Sequence, residues 1–144
     1  MGKASKIDVE TLIIQLDTLV KRVKQEVSQS LQMNEINITA DQWILLRLVM
    51  EHGGLTQKDL AALAGKDKPT VTRMLELMIE KDWVVKEPTP GDRRSYLILP
   101  TKYGQETYRI ARDGVAKAYK RVWKSAGKKE TKGAWNLCKQ LLDN

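Results

Sequence analysis

The chain has few of the residues on which catalysis, metal binding and disulfide formation depend: it contains one cysteine, one histidine and no phenylalanine among 144 residues. Because Cys138 has no second cysteine to pair with, an internal disulfide is excluded, and a reducing cytoplasm is the expected location. His52 has no Cys or acidic cluster at ligand spacing, so no metal site is expected. The sequence has no glycine-rich phosphate loop, nucleophile elbow or helical acid pair, so we expect neither an enzyme nor a bound cofactor.

The sequence also lacks long apolar runs. No stretch approaches about eighteen apolar residues without a charge, so no membrane-spanning segment is expected. Residues 1–10, MGKASKIDVE, have no apolar core of the kind that a signal peptide needs. Hydropathy therefore gives no reason to expect a membrane partner.

Positive charge is abundant and unevenly placed. The net charge is +7; residues 1–54 carry six basic and seven acidic side chains, residues 55–102 nine and seven, and residues 103–144 ten and four. Such a chain is attracted to polyanions, and nucleic acid is the first candidate partner. We interpret the C-terminal basic run as a solvated helix face, with long-range steering toward DNA, then membrane binding, as alternatives. That run comprises Arg109, Arg112, Lys117, Lys120, Arg121, Lys124, Lys128 and Lys129.

Apolar residues recur every three or four positions over residues 8–31, which predicts one long amphipathic helix. They are Val9, Leu12, Ile13, Leu16, Val20, Val23, Val27 and Leu31. This stripe is too long to be buried on a small three-helix core. A partner is therefore expected, most simply a second copy of the same chain.

Three shorter helices follow, and each has a recognisable start. The predicted N-caps are Thr39, Thr56 and Asp67. Gln42 and Asp59 lie three residues after the first two caps, as in a capping box, and Pro69 falls in the first turn of the last of these helices. Glycines after residues 52 and 64 end the first two helices.

After Trp83 the pattern changes from a helical to an extended period. Residues 84–87 and 96–99 are predicted strands, and residues 89–94 have turn chemistry. Thr101 is the predicted cap of a long helix that runs to about residue 126, and residues 131–142 form the last predicted helix.

This order predicts a mainly α fold: a winged helix-turn-helix with N- and C-terminal dimerisation helices and a two-stranded β wing. We divide the chain into an N-terminal dimerisation helix (1–37), a DNA-binding domain (38–100) and C-terminal dimerisation helices (101–144).

Residues 43–104 resemble the MarR family of regulators. The matching segments are TQKDLAALAG, PTVTRMLELMIEKDWVVKE and GDRRSYLILPTKYG. The family pattern has a Thr-Arg pair in the recognition helix, an Asp-Arg-Arg wing and a Leu-Thr-x-x-Gly helix start, which here is one residue longer over residues 99–104. Asp82-Trp83 replaces the usual Lys-Gly or Asn-Gly turn.

The resemblance implies a triangular homodimer in which the first and last two helices of each subunit intertwine and two winged domains reach successive major grooves. Many members of the family repress transcription and release DNA when a small aromatic ligand or an oxidant acts on them. A two-fold dimer predicts a pseudo-palindromic double-stranded operator with half-sites about 10 bp apart.

The candidate DNA contacts surround the fourth helix and the wing: Lys66, Lys68, Pro69, Thr70, Thr72, Arg73, Arg93, Arg94 and Ser95. The guanidinium of Arg73 can donate two hydrogen bonds, to O6 and N7 of a guanine or to a phosphate. The two lysines flank a helix N-terminus, whose free N–H groups favour phosphate. In the family, one wing arginine enters the minor groove and its neighbour meets the backbone. The alternative is an ordinary solvated polar face.

Four further interpretations follow from the pattern. Glu76 either orients Arg73, faces a cytosine amine or is a plain surface residue. Asp92 is expected to pair with a nearby Arg and fix the wing turn. Cys138 lies on an apolar stripe, so a buried structural thiol is favoured over a redox sensor. Core packing is favoured over an effector pocket for the helical aromatics Trp43, Tyr103, Tyr119, Trp123 and Trp135.

The sequence therefore favours a sequence-specific double-stranded DNA-binding transcriptional regulator, a repressor relieved by a small aromatic effector whose binding residues are unknown. A non-specific architectural DNA binder and a winged-helix protein-interaction adaptor are the alternatives.

Overall fold

The computed structural model describes residues 6–143, which form six helices and a small three-stranded sheet. The elements are α1 (Val9–Met33), α2 (Ala40–His52), β1 (Leu55–Thr56), α3 (Gln57–Ala64), α4 (Lys68–Glu80), β2 (Val84–Thr89), β3 (Asp92–Pro100), α5 (Lys102–Trp123) and α6 (Lys128–Leu142). The mainly α winged fold is thereby confirmed. The division into three domains stays a prediction, and its outermost residues, 1–5 and 144, lie outside the described part.

The sheet contains one strand more than expected. Its order is β1–β3–β2, all antiparallel, with Leu55 opposite Ile98 and Val84 opposite Pro100. The predicted two-stranded wing is therefore a β2–β3 hairpin whose base is extended by β1. Two residues are too short to show a period-two pattern, so β1 left no signal in the sequence.

All four predicted side-chain caps are present. The Thr39 hydroxyl accepts from the backbone N–H of Gln42 at 3.0 Å, and the Gln42 side-chain oxygen accepts from the backbone N–H of Thr39 at 3.0 Å. The two bonds complete a capping box. Thr56, Asp67 and Thr101 accept from the N–H three residues ahead at 3.1, 2.8 and 2.9 Å. These bonds satisfy N–H groups that a helix start leaves free and so fix where α2 to α5 begin.

The last helix starts earlier than expected. It begins at Lys128 rather than residue 131, and its cap, Gly127, makes no side-chain bond. Thr131 lies inside the first turn, where its hydroxyl donates to the carbonyl of Gly127 at 2.9 Å and accepts from Trp123 Nε1 at 2.8 Å. Lysine and glutamate are good helix formers, which accounts for the extra turn before Thr131.

The core lies where α1, α2 and α5 meet the helix-turn-helix. Val27 and Leu31 of α1 are buried with Ala111 and Val115 of α5. The first half of α1 and all of α6 are exposed apart from two partly buried leucines of α1, so half of the predicted α1 stripe, Val9, Ile13, Leu16 and Val20, is not covered within residues 6–143. Among residues 6–143, no helix is both long and apolar enough to cross a membrane.

Candidate nucleic-acid interface

Helix α4 has one buried and one exposed face. Val71, Leu75 and Met78 pack into the core, whereas Pro69 and Arg73 are exposed on the opposite side. In the part of the chain that the structure describes, Arg73 forms no ion pair, so of the three interpretations of Glu76 the one in which it orients Arg73 is not seen in the free chain. The guanidinium is exposed to solvent, and no carboxylate lies within ion-pair distance of it in the described residues.

The start of α4 is organised by Asp67. Its carboxylate accepts from the backbone N–H of Thr70 at 2.8 Å. That hydrogen bond, followed by one from the Thr70 side chain and by the charge of Arg73, lowers the pKa of Asp67. Asp67 therefore stays ionised at the helix N-terminus, where negative charge is favoured. Lys68 and Pro69 follow in the first turn and are exposed, and Thr70 is half-buried.

Lys66 does not have the free ammonium group that the sequence suggested. Its Nζ lies 3.4 Å from Asp41 Oδ1, and the same oxygen lies 2.9 Å from Lys24 Nζ on α1. Burial, the largest single influence, would raise the pKa of Asp41, but the two lysines together lower it. Asp41 thus links α1, the start of α2 and the turn before α4. It was not found in the sequence because its partners are distant along the chain.

Thr72 is also engaged within the protein. Its hydroxyl donates to the carbonyl of Lys68 at 2.9 Å and accepts a hydrogen bond from Nε2 of Gln57, the first residue of α3. Gln57 was not among the predicted site residues, since a glutamine at a helix start gives no distinctive signal. It is the side chain that ties the recognition helix to α3.

The wing presents two exposed arginines. Arg93 and Arg94 follow the turn at Gly91, which has the positive φ (81°) that glycine tolerates. Asp92 accepts from the backbone N–H of Arg94 at 2.9 Å and forms no arginine ion pair within residues 6–143. Asp92 therefore fixes the turn as expected, but through the backbone. Ser95, next along β3, is half-buried.

Two wing side chains that the sequence analysis did not single out also contact each other. Lys86 Nζ lies 4.8 Å from the centre of the Tyr96 ring, a cation–π distance, and both residues are exposed. The β2–β3 pairing brings them together: Pro88 lies opposite Tyr96, and Lys86 lies on the same strand two residues before Pro88.

A cavity of about 270 Å³ lies between α2 and α5. Trp43 and Tyr108, which stack on each other with ring centres 5.0 Å apart, line it together with Arg47, Arg112, Asp113 and Tyr119. Burial raises the pKa of Tyr119, against the opposing charges of Arg47 and Lys24. The cavity joins two of the five aromatics considered in the sequence, Trp43 and Tyr119, with Tyr108, which was missed.

The other aromatics and the cysteine are not buried. Tyr103, Trp123 and Trp135 are exposed. Cys138 is exposed as well, so the expectation of a buried thiol is wrong for the single chain. The reason is that the apolar side of α6 packs on no core within the described residues. The C-terminal basic residues are all exposed, in agreement with a solvated helix face.

Comparison with known proteins identifies the family and supports the fold. A family model described as the MarR family matches residues 36–95. The multiple antibiotic resistance protein MarR of Salmonella typhimurium is 30% identical over 102 residues, which cover 69% of this chain and 71% of that protein. The chain belongs to the MarR family. It is thus a transcriptional regulator and not an enzyme.

Solved structures of MarR-family proteins match nearly the whole chain. A mutant MarR from Escherichia coli complexed with operator DNA has a TM-score of 0.73 and 26% identity, covering 94% of this chain and 99% of that one. Bordetella bronchiseptica BpsR, described as regulated in DNA binding by 6-hydroxynicotinic acid, has a TM-score of 0.82 and 17% identity, covering 98% and 99%. The second likeness concerns the fold.

Two features of the MarR pattern acquire a physical reason in this structure. Asp82, in the turn where the pattern has Lys-Gly or Asn-Gly, has a φ of 63°, a conformation that Asp tolerates better than most residues. Gly104, the last residue of the Leu-Thr-x-x-Gly pattern, is buried directly against the carbonyl of Trp83. Both residues shape the corner that joins α4 to the wing.

Proposed function

We propose that this MarR-family regulator binds a pseudo-palindromic operator as a homodimer, with α4 in the major groove and the wing arginines on the adjacent backbone and minor groove. The observation that carries the proposal is the exposed face of α4, where Arg73 is offered without a carboxylate partner in the described chain. The operator complex of the E. coli relative supports the same use of the fold. The proposed contacts remain Lys68, Pro69, Thr70, Thr72, Arg73, Arg93, Arg94 and Ser95, with Lys66 available only if Asp41 releases it.

The homodimer part of the proposal rests on uncovered apolar surface at the two ends of the chain. Val9, Ile13 and Val20 on α1 and Trp135 and Leu141 on α6 are exposed, although hydropathy favours burial. Contiguous apolar surface of this kind marks an interaction site. A symmetric pair of chains that covers both faces would also set two α4 helices at a fixed spacing.

We propose repression as the regulatory sign, because a dimer that covers a promoter blocks polymerase without any further contact. For relief by a small aromatic ligand, the favoured site is the cavity between α2 and α5. Three aromatic rings line it, which suits a small aromatic ligand such as the compound named for BpsR. Its two arginines are partly neutralised, because Asp113 also lines the cavity and Arg47 is paired with Glu51 at 2.7 Å. A larger groove along α1 is lined by lysine, glutamine and serine side chains and offers no comparable aromatic surface.

The test is fluorescence anisotropy on a duplex selected from a random library and on an unselected duplex, across a salt series. We expect a preference of about 10³-fold or more for the selected site, with a steep loss of affinity as salt rises. Arg73→Ala should weaken binding to the selected duplex by about 1–3 kcal/mol and reduce the preference. Arg109→Ala is the matched control, since Arg109 is exposed on α5 and paired with Glu106 at 2.9 Å.

Equal affinity for both duplexes would replace the proposal with a non-specific architectural protein. Absence of binding even at low salt would overturn DNA recognition and favour a protein-interaction adaptor. For the effector, 6-hydroxynicotinic acid should release the selected duplex from the wild type and not from Tyr119→Ala; release from both would place the ligand outside the α2–α5 cavity.

A further inference from the structure

We infer that Gln57 is a positioning residue for base recognition, and that through it Thr72 reads the 5-methyl group of a thymine rather than a hydrogen-bonding base edge. The inference rests on the proposed function, because it concerns how the same helix discriminates between DNA sequences. It starts from the one hydrogen bond between side chains that joins α3 to α4 in the described chain, from Gln57 Nε2 to Thr72 Oγ1.

The direction of that bond follows from a second contact. Thr72 Oγ1 lies 2.9 Å from the carbonyl oxygen of Lys68, which can only accept. The single hydroxyl proton of Thr72 is therefore directed to Lys68, and Gln57 must supply its own amide proton. The hydroxyl has no proton left to donate to a base.

The bonds also fix how Thr72 is turned. A threonine Cβ carries one hydroxyl and one methyl group, and the side chain occupies one staggered rotamer at a time. With the hydroxyl held toward the Lys68 carbonyl and α3, rotation would break two hydrogen bonds, so the rotamer is locked. Thr72 is only half-buried, so part of its side chain stays accessible next to the exposed Arg73.

The group left for the groove is then the γ-methyl. In the major groove, apolar contact with a threonine methyl is a recognised way to read the thymine 5-methyl group. Gln57 would thus act without touching a base: its amide holds the Thr72 hydroxyl in place, and the Thr72 methyl group is the part that contacts DNA. A threonine with a free hydroxyl could instead donate to guanine or thymine oxygens and would discriminate less.

The experiment replaces each thymine in one half-site of the selected duplex, in turn, by deoxyuridine, which removes only the 5-methyl group. For the wild type, one position should lose about fourfold in affinity, which is what burial of about one methyl group is worth. Thr72→Ser, which keeps the hydroxyl and deletes the methyl, should bind thymine and uracil equally there. Thr72→Val replaces the hydroxyl by a second methyl group, so a methyl is presented without the bonds to Gln57 and Lys68, and the discrimination should be retained.

Gln57→Ala tests the positioning role. It should reduce the thymine-to-uracil ratio toward one at that position, while Gln105→Ala, a change at an exposed glutamine on α5, leaves the ratio intact. The readout is a ratio within one variant, so a general loss of stability or affinity does not imitate it. Circular dichroism establishes that each variant is folded.

The outcomes separate this inference from the proposed function. If the protein prefers no duplex, DNA recognition itself fails. If it prefers its selected site but no thymine position responds to deoxyuridine, or the half-site contains no thymine, methyl recognition is overturned. If the wild type discriminates and Gln57→Ala discriminates equally, the positioning role of Gln57 is overturned.

Discussion

Replacing Gly104 with alanine should destabilise the joint between the recognition helix and the wing. Gly104 lies in the first turn of α5 and is buried. A Cβ at this position would lie 2.0 Å from the carbonyl oxygen of Trp83 and 3.0 Å from its carbonyl carbon. Both are backbone atoms, so the clash cannot be relieved by rotating a side chain.

The expected loss can be worked out from the same contacts. An ordinary carbon–oxygen contact is about 3.3 Å, so the carbonyl must move by roughly 1.3 Å. That carbonyl accepts from the backbone N–H of Thr101 at 3.0 Å, whereas the Thr101 hydroxyl donates to the carbonyl of Asp82 at 2.5 Å and lies 3.2 Å from the Trp83 oxygen. One hydrogen bond at about 1 kcal/mol and an overpacking cost of about 1–3 kcal/mol are partly offset by about 1 kcal/mol for removing glycine from a helix. The free energy of unfolding should fall by about 1–3 kcal/mol.

Thermal denaturation measures this loss of stability. All proteins are compared at one concentration, because the Tm of a dimer depends on concentration. At about 2–4 °C per kcal/mol, Gly104→Ala should lower the Tm by roughly 2–12 °C. Gly133→Ala is the matched control, since nothing lies within 4 Å of a Cβ on that α6 glycine, and it should gain about 0.5–1 kcal/mol. A Gly104→Ala protein that melts at or above the wild-type Tm would refute the steric argument.

Two further predictions concern charge and assembly. Asp41→Asn frees Lys66, so the slope of log affinity against log salt should steepen by about one unit per subunit. Because the pKa of Asp41 is lowered in the folded state, its ionised form stabilises the folded protein at pH values above the unfolded pKa. This contribution, at most about 1 kcal/mol, is lost as the pH falls below roughly 4. Denaturant melts of wild type and Asp41→Asn should therefore differ at pH 7 and converge near pH 2–3; parallel curves would contradict the ion pairs. Leu141→Asp places a charge on an apolar residue that is 61% exposed in the chain, and sedimentation should show a monomer if α6 forms the dimer. Asn136→Asp, on the opposite side of the helix from Trp135 and Leu141, should sediment as the wild type does.

The parts of the fold that were predictable from the sequence are those fixed by neighbours along the chain. Thr39, Thr56, Asp67 and Thr101 cap their helices through N–H groups only three residues away, so the bonding group and the bonded group appear together in the sequence. The helical and extended periods are local in the same sense, which is why the order of elements was correct.

The unpredicted features depend on residues far apart in the chain. Gln57 reaches Thr72 across fifteen positions, and Asp41 reaches Lys24 and Lys66 on two other elements. Their pairing is set by how the helices pack, and no pattern of spacing encodes it. The prediction of a buried Cys138 was wrong for a related reason: its apolar stripe is present, but no surface within residues 6–143 covers it.

The basic side chains of the winged helix-turn-helix differ in how available they are to DNA. Residues 55–102 contain nine basic side chains, but they are not equally available. Lys66 is held by Asp41, and Lys81 donates to the carbonyl of Asn37 at 3.1 Å while lying 5.2 Å from the centre of the Trp83 ring. These lysines stabilise the helix-turn-helix, so contacting a phosphate would first require breaking contacts within the protein. Among the proposed contacts, the cations that are exposed and form no ion pair within residues 6–143 are Lys68 and Arg73 on α4 and Arg93 and Arg94 on the wing. We therefore expect these four side chains to supply most of the attraction for DNA.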